Sequence, residues 1–181
     1  MNTDATTKIR FSSLKYGTYT YHYDVGDAFF KTFENESLTR GNVHFDLTLE
    51  KKETAMLLRF DFEGTVGTTC DRCLEEMDIP VSGSQTICIK QSDDEESDNE
   101  DLIILPTTAY EVDVAQWMYE FVVVAIPMHH VHADDEQGRS LCNPFIIDYL
   151  KRNEEEAPSN SATADPRWDT LRQLMHGTEN K

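Results

Sequence analysis

The chain has 181 residues, of which 39% are hydrophobic and 28% are charged, and 34 acidic residues against 16 Lys and Arg give a formal net charge of −18. This length fits one domain with or without appendages, and the low apolar share indicates a globular body that carries polar segments. Because binding to phosphate backbones needs clustered cations, the charge argues against direct binding of RNA or anionic membranes and favours basic protein partners.

The first ~90 residues predict β-strands, because apolar and polar residues alternate there with a period of two. The predicted strands are residues 19–25, 43–49, 55–62 and 79–89. Gly83 interrupts the last of these stretches and predicts a bulge or turn, and residues 27–33 predict a short helix. Alternation with one polar face is typical of antiparallel sheets.

An acidic loop is predicted at residues 91–101. Seven of the nine residues from Asp93 to Asp101 are acidic, and such a block repels itself instead of packing. One interpretation is a solvated loop between two structured parts of the chain. The other is a docking site for a basic partner, with the contacts made by Asp93, Asp94, Glu95 and Glu96.

The strongest helix prediction follows a short strand at residues 102–105. Asp113 as N-cap and Gln116 at the third helical position form a capping-box pattern, and Pro127 ends the helix. An apolar stripe at helical spacing predicts packing against the sheet; its members are Val114, Trp117, Met118, Phe121, Val122 and Ala125. Strands followed by a helix predict an α+β fold, in which one main helix packs on an antiparallel, β-rich N-terminal body, either a sheet or a partly open barrel.

The C-terminal part predicts a separate short amphipathic helix. Residues 153–164 contain no large apolar side chain, which predicts a linker after a domain that covers residues 8–152. Asp165-Pro166 then supplies an N-cap and a first helical position for a helix over 165–177. Its apolar face, which includes Trp168, Leu171 and Leu174, predicts docking either on the body of the protein or in the groove of a partner.

The sharpest local motif is Cys70-Asp71-Arg72-Cys73, which lies between two predicted strands. Two thiolates separated by two residues in a tight turn can face one tetrahedral metal ion. A complete site needs two more ligands, and Cys142 with one histidine is a reasonable second half. The residues alone leave open which histidine takes part; the candidates are His129, His130 and His132.

Two other interpretations of the cysteines stay open. They can pack as small hydrophobic residues, or Cys70 and Cys73 can form a redox dithiol. Neighbouring acidic residues are expected to raise the thiol pKa values, which argues against redox chemistry. The N-terminal residues lack the pattern of a secretory signal, so we expect a cytoplasmic protein with reduced thiols. The longest apolar run, residues 121–128, is too short to span a bilayer.

The sequence predicts no enzyme. It contains no nucleophile-elbow pattern, no phosphate-binding glycine loop and no H-E-x-x-H motif. No residue is therefore assigned a catalytic role.

Several motifs in one order resemble the YceD family, the large ribosomal RNA subunit accumulation proteins. They are Cys70-Asp71-Arg72-Cys73-Leu74-Glu75, the acidic loop with Asp101-Leu102, the helix opening at 111–114 and exit at 125–127, the segment from His132 through Cys142 to Phe145, and Asp165-Pro166-Arg167-Trp168 with Leu171 and Leu174. The resemblance implies a role in accumulation of 23S ribosomal RNA, hence in large-subunit biogenesis. It also implies one bound Zn²⁺, with Cys70, Cys73, His132 and Cys142 as the ligands.

Two functions are compatible with these features. The first is an assembly factor whose acidic surface binds a basic ribosomal protein or a ribosome-maturation factor. The second is a zinc-organised RNA-binding module in which exposed aromatic side chains stack on unpaired bases; those side chains are Tyr19, Tyr21, Tyr23 and Phe45. The negative charge favours the first function, and a thiol oxidoreductase is a distant third.

Overall fold

The computed structural model describes residues 7–33, 38–93 and 102–156. The chain divides into two compact units, Met1–Cys142 and Asn143–Lys181. The strands and α-helices of the first unit are β1 (Lys8–Ile9), β2 (Gly17–Val25), α1 (Asp27–Phe30), β3 (Gly41–Lys51), β4 (Met56–Thr69), β5 (Glu76–Gln91), β6 (Leu102–Leu105), β7 (Val112–Asp113) and α2 (Ala115–Ala125). The second unit contains α3 (Pro144–Glu156). Within the described ranges, none of these helices is long and apolar enough to cross a membrane.

The first unit is built on a five-stranded sheet with the strand order β2-β3-β4-β5-β6. Strands β2 to β5 are antiparallel neighbours, as the alternation predicts. Strand β6 adds to β5 in the parallel direction, which the sequence pattern does not predict. In the described part of the chain the sheet is open, with β2 and β6 at its edges. The α+β prediction is confirmed, with an open sheet in place of a barrel.

The predicted bulge or turn at Gly83 is wrong. Strand β5 pairs with β4 without a break from Glu76 to Ile89, and Gly83 lies directly opposite Phe62. A Cβ atom at Gly83 would lie 2.7 Å from Cζ of the Phe62 ring. Glycine therefore occurs here because an aromatic ring covers its backbone, a close approach that a strand can accommodate without a bulge.

One face of the sheet forms the core, and the aromatic residues of β2 and β3 lie on that face. Phe45 is 0% exposed and Tyr23 is 5% exposed, while Tyr19 and Tyr21 are partly buried against the same core. The expectation that these four side chains form an exposed platform for RNA bases is therefore wrong. The physical reason is the period of two, which places all four on the single face that is buried.

Helix α2 packs its predicted stripe on the sheet. Met118 and Val122 are fully buried, and the Phe121 ring lies edge-on to Phe60 with their centroids 5.1 Å apart. The helix ends at Ala125, shortly before Pro127, as predicted.

The start of α2 differs in detail from the predicted capping box. Val114 is the N-cap, one residue after Asp113. The Asp113 carboxylate still accepts a hydrogen bond from the Ala115 N–H at 3.0 Å. The Gln116 side chain donates to Glu120 at 2.7 Å instead of reaching back towards Asp113. The second hydrogen bond of a capping box, from Gln116 back to the N-cap, is thus replaced by a contact between Gln116 and Glu120 one turn further along the helix.

Helix α3 in the second unit was not predicted. Asn143 caps it, because its side-chain oxygen accepts the Phe145 N–H at 3.0 Å. Pro144 occupies the first helical position, and an Asn-Pro pair before an apolar segment is a signal from which the helix could have been predicted. The helix extends to Glu156, four residues into the predicted linker at 153–164. The remainder of that linker and the predicted helix at 165–177 lie outside the described residues.

Candidate metal centre

The tip of the long β4–β5 hairpin carries the two cysteines of the CxxC motif. The Cys70 N–H donates to the Glu75 carbonyl at 2.8 Å, and the Leu74 N–H donates to the Cys70 carbonyl at 2.9 Å. Leu74 closes the turn with a φ of 61°, in the left-handed region that few non-glycine residues adopt. The turn directs both cysteines inward, where Cys70 is 0% and Cys73 is 6% exposed.

A second, smaller hairpin brings His132 next to Cys142. Asp134 and Ser140 form an antiparallel bridge, and the Leu141 N–H donates to the Ala133 carbonyl at 3.2 Å. The Asp135 side chain closes the turn by accepting the Gln137 and Arg139 N–H groups at 2.9 Å and 2.8 Å. The long spacer between His132 and Cys142 therefore folds back on itself, and its two ends meet.

The four side chains that the sequence predicts as ligands lie together. The ligand atoms of Cys70, Cys73, His132 and Cys142 are all within 4.8 Å of one another. The Cys70 and Cys142 sulfur atoms are 3.7 Å apart, and the Cys73 sulfur is 3.4 Å from Nδ1 of His132.

These distances fit tetrahedral coordination of one zinc ion. With Zn–S bonds of ~2.3 Å and a Zn–N bond of ~2.05 Å, tetrahedral angles put two sulfur ligands ~3.8 Å apart and a sulfur and a nitrogen ligand ~3.6 Å apart. A disulfide would instead need ~2.05 Å between sulfur atoms, and all four cysteines of the chain are free thiols. Three soft sulfur donors and one imidazole form a donor set that zinc prefers.

The structure distinguishes among the three histidines. Nδ1 of His130 lies 3.1 Å from the Pro127 carbonyl, so this nitrogen carries the proton. Its Nε2 accepts a hydrogen bond from the Thr68 hydroxyl at 2.9 Å. Both ring nitrogens of His130 are therefore occupied, and the side chain of His129 is 95% exposed. Of the three, only His132 has a ring nitrogen among the sulfur atoms.

Asp71 connects the two segments that carry the ligands, a role that the sequence analysis missed. Its N–H donates to the His130 carbonyl at 2.9 Å, and its carboxylate accepts the His130 N–H at 2.8 Å. This N–H donor is the largest cause of a lowered Asp71 pKa. The only available signal was the position of a carboxylate between the two cysteines.

The expected rise in the thiol pKa values does not apply to Cys70. Burial of this sulfur opposes its ionisation, but backbone N–H groups of Cys73 and Arg72 point at it and lower its pKa to about 6. The Arg72 N–H lies 3.4 Å from the Cys70 sulfur. For Cys142, the Ser140 hydroxyl lowers the pKa, but burial and the neighbouring sulfur atoms outweigh it and raise the pKa overall. N–H groups aimed at a sulfur favour the thiolate form that binds metal.

The predicted partner-binding residues are only partly described. Asp93 accepts hydrogen bonds from the Thr107 hydroxyl at 2.7 Å and from the Thr107 N–H at 3.1 Å, so its carboxylate links the start of the acidic loop to the residues that follow β6. The other predicted residues, Asp94, Glu95, Glu96, Trp168, Leu171 and Leu174, lie outside the described residues. Their contact with a partner stays a prediction.

Comparison with known proteins identifies one family. The model of the family described as "Large ribosomal RNA subunit accumulation protein YceD" matches residues 58–175. The match begins in β4 and includes all four predicted ligands and the acidic loop. Neither the curated proteins nor the solved structures give a significant match.

Proposed function

This chain belongs to the YceD family of large ribosomal RNA subunit accumulation proteins, and we propose that it supports accumulation of 23S ribosomal RNA in the cytoplasm by binding basic proteins of large-subunit assembly. The family description implies a role in accumulation of the large-subunit RNA. The mode of action through proteins is our inference from the charges of the molecule, and the proposal of a role without catalysis is based on the lack of catalytic motifs in the sequence.

The observation that carries this inference is that many of the basic side chains in the described residues pair with carboxylates. Six Lys and Arg side chains lie within 4.0 Å of an acidic group; they are Lys8, Arg10, Arg40, Lys52, Arg59 and Arg139. Lys51 donates instead to the Phe11 and Leu14 carbonyls. RNA phosphates would have to compete with these internal partners on a molecule whose net charge is −18. A Lys- and Arg-rich protein is instead attracted by the same net negative charge.

We propose further that Cys70, Cys73, His132 and Cys142 hold one structural Zn²⁺. When bound, zinc supplies a cross-link between the tip of the β4–β5 hairpin and the segment from Pro127 to Cys142. Four protein ligands fill a tetrahedral shell and leave no position for a substrate or water. The site then acts by fixing the shape of this end of the sheet.

Affinity capture of the tagged full-length chain, followed by quantitative mass spectrometry, tests the proposal. We expect ribosomal proteins or ribosome-maturation factors to be enriched and to remain bound after digestion of RNA. A variant with Asp94→Asn, Glu95→Gln and Glu96→Gln should retain less of them. The matched control removes the same charge at exposed positions outside the acidic loop, through Asp148→Asn, Glu63→Gln and Glu136→Gln.

Two outcomes contradict the proposal. Capture of no ribosome-related protein rules out the protein-partner mode. Capture that is lost on RNA digestion, together with binding of purified ribosomal RNA by the isolated chain, replaces the proposed mode with direct RNA binding.

A further inference from the structure

A second cluster of histidine and carboxylate side chains lies on the opposite, solvent-exposed face of the sheet. In the β2–β3 register His22 is paired with Asp46, and Asp24 is paired with His44. Since Tyr23 and Phe45 on the same strands point into the core, the alternation directs these four polar side chains to solvent. The cluster is thus positioned by two strands whose other face packs into the core.

The side chains of the cluster converge on one carboxylate. Nδ1 of His22 contacts Oδ1 of Asp46, and Nε2 of His44 lies 3.2 Å from the same oxygen. The two imidazole rings are nearly parallel, with an angle of 13° between their planes and 6.2 Å between their centroids. One ligand atom from each of His22, His44 and Asp46 lies within 4.8 Å of the others.

The hydrogen bond at Nδ1 of His44 determines what the other ring nitrogen, Nε2, can bind. Nδ1 of His44 is 2.7 Å from Oδ1 of Asp24, and because a carboxylate only accepts, this nitrogen carries a proton. In the neutral ring, Nε2 then presents a lone pair towards the Asp46 carboxylate. Two acceptors face each other favourably only when a cation, a proton or a metal ion, lies between them. A histidine whose second nitrogen donates to a carboxylate is the usual arrangement of a metal ligand.

We propose that His22, His44 and Asp46 form a second metal site, which binds a divalent first-row transition ion such as Zn²⁺ or Ni²⁺, with Asp24 as the residue that orients His44. Imidazole and carboxylate donors suit these ions. Next to the cluster, β4 places Asp61 opposite Asp46 and Glu63 opposite His44. Glu63 strengthens the attraction for a dication, whereas the charge of Asp61 is offset by its ion pair with Arg59.

This site differs in kind from the cysteine cluster. It has three protein ligands instead of four, and all three lie at least partly exposed on the face of the sheet. An ion bound there keeps at least one coordination position open to solvent, so it can exchange with free metal and accept an external anionic ligand. The cysteine cluster, by contrast, is buried and closed.

Titration of the full-length chain, as purified, with NiCl₂ tests the proposal. Calorimetry should show one equivalent of Ni²⁺ bound, and paramagnetic broadening in NMR spectra should centre on the ring signals of His22 and His44. His22→Gln and His44→Gln should each weaken binding by at least about tenfold, and Asp24→Asn should weaken it by about tenfold. His129→Gln, which removes an exposed histidine elsewhere, is the matched control and should leave the affinity unchanged.

The broadening experiment needs only the wild-type chain, so the proposal can be tested even if a variant folds poorly. Absence of Ni²⁺ binding, or broadening centred on His129, His130 or His132, overturns the proposal. Unchanged affinity in folded His22→Gln and His44→Gln also overturns it.

Discussion

Asp71 and His130 bind each other in both directions. The Asp71 N–H donates to the His130 carbonyl at 2.9 Å, and the Asp71 carboxylate accepts the His130 N–H at 2.8 Å. Asp71 lies between Cys70 and Cys73, and His130 lies two residues before His132. The two segments that supply the predicted ligands are therefore joined by one backbone and one side-chain hydrogen bond, which pre-organise the site for a metal.

We expect Asp71→Ala to weaken metal retention. Loss of the carboxylate removes the acceptor of the His130 N–H. Because this hydrogen bond helps to hold the segment that carries His132, that segment becomes less well fixed. Changes in groups that support metal ligands commonly cost 10–100-fold in affinity, so release of zinc to a chromogenic chelator should be about tenfold faster. Glu136→Ala is the control, because that side chain is exposed at the turn of the second hairpin. Equal release rates in Asp71→Ala and the wild type would contradict this role.

Gly64→Ala should destabilise the fold more than an alanine at a neighbouring strand position. A Cβ atom at Gly64 would lie 2.3 Å from the Asn42 carbonyl oxygen and 2.6 Å from Cα of Val43. These are backbone atoms of the paired strand, so relief requires the strands to move. Overpacking of this kind costs about 1–3 kcal/mol.

Urea unfolding of Gly64→Ala beside Thr65→Ala measures this effect. Thr65 is exposed on the other face of β4 and should change the free energy of unfolding little. If the two variants had the same unfolding midpoint, the close strand contact at Gly64 would be refuted.

The hydrogen bonds to Asp93 should make the free energy of unfolding depend on pH at acidic pH. The Thr107 hydroxyl, followed by the Thr107 N–H, lowers the pKa of the Asp93 carboxyl below its usual value. The ionised carboxylate is thus favoured in the folded state, and its contribution is fully present above the unfolded pKa of ~3.9. That contribution is lost as the pH falls through the lower folded pKa.

Asp93→Asn isolates this contribution. The difference in unfolding free energy between the wild type and Asp93→Asn should be largest near neutral pH and should shrink as the pH falls below ~4. Thr107→Val removes the hydroxyl donor and should flatten the same pH dependence. Stability curves for the wild type and Asp93→Asn that stay parallel from pH 6 to pH 3 would rule out the interaction.

The elements that were predicted correctly are those that local patterns specify. Strands β2 to β5 follow from alternation, and α2 follows from an apolar stripe that ends before Pro127. Alternation also indicates that the apolar face of each strand is the buried one. The expected exposure of Tyr23 and Phe45 disagrees with that pattern, and their burial identifies the apolar face as the core.

The details of the metal centre depend on contacts between distant residues. Three histidines within four residues, 129 to 132, are equivalent in the sequence. Thr68 and the Pro127 carbonyl occupy the ring nitrogens of His130, which leaves His132 beside Cys73. Likewise, the ring of Phe62 explains Gly83 only when β4 and β5 are paired. Neither contact has a local signal in the sequence.

Metal analysis of the purified chain tests the central claim, a zinc ion held by Cys70, Cys73, His132 and Cys142, most directly. Inductively coupled plasma mass spectrometry should be applied after gel filtration in buffer without chelator, to the wild type, to Cys73→Ser and to Cys88→Ser. Cys88 lies on β5 outside the cluster and is the matched control. We predict about one zinc per chain in the wild type and in Cys88→Ser, and its loss in Cys73→Ser. A folded wild-type chain without zinc, or zinc that persists unchanged in Cys73→Ser, would contradict the claim.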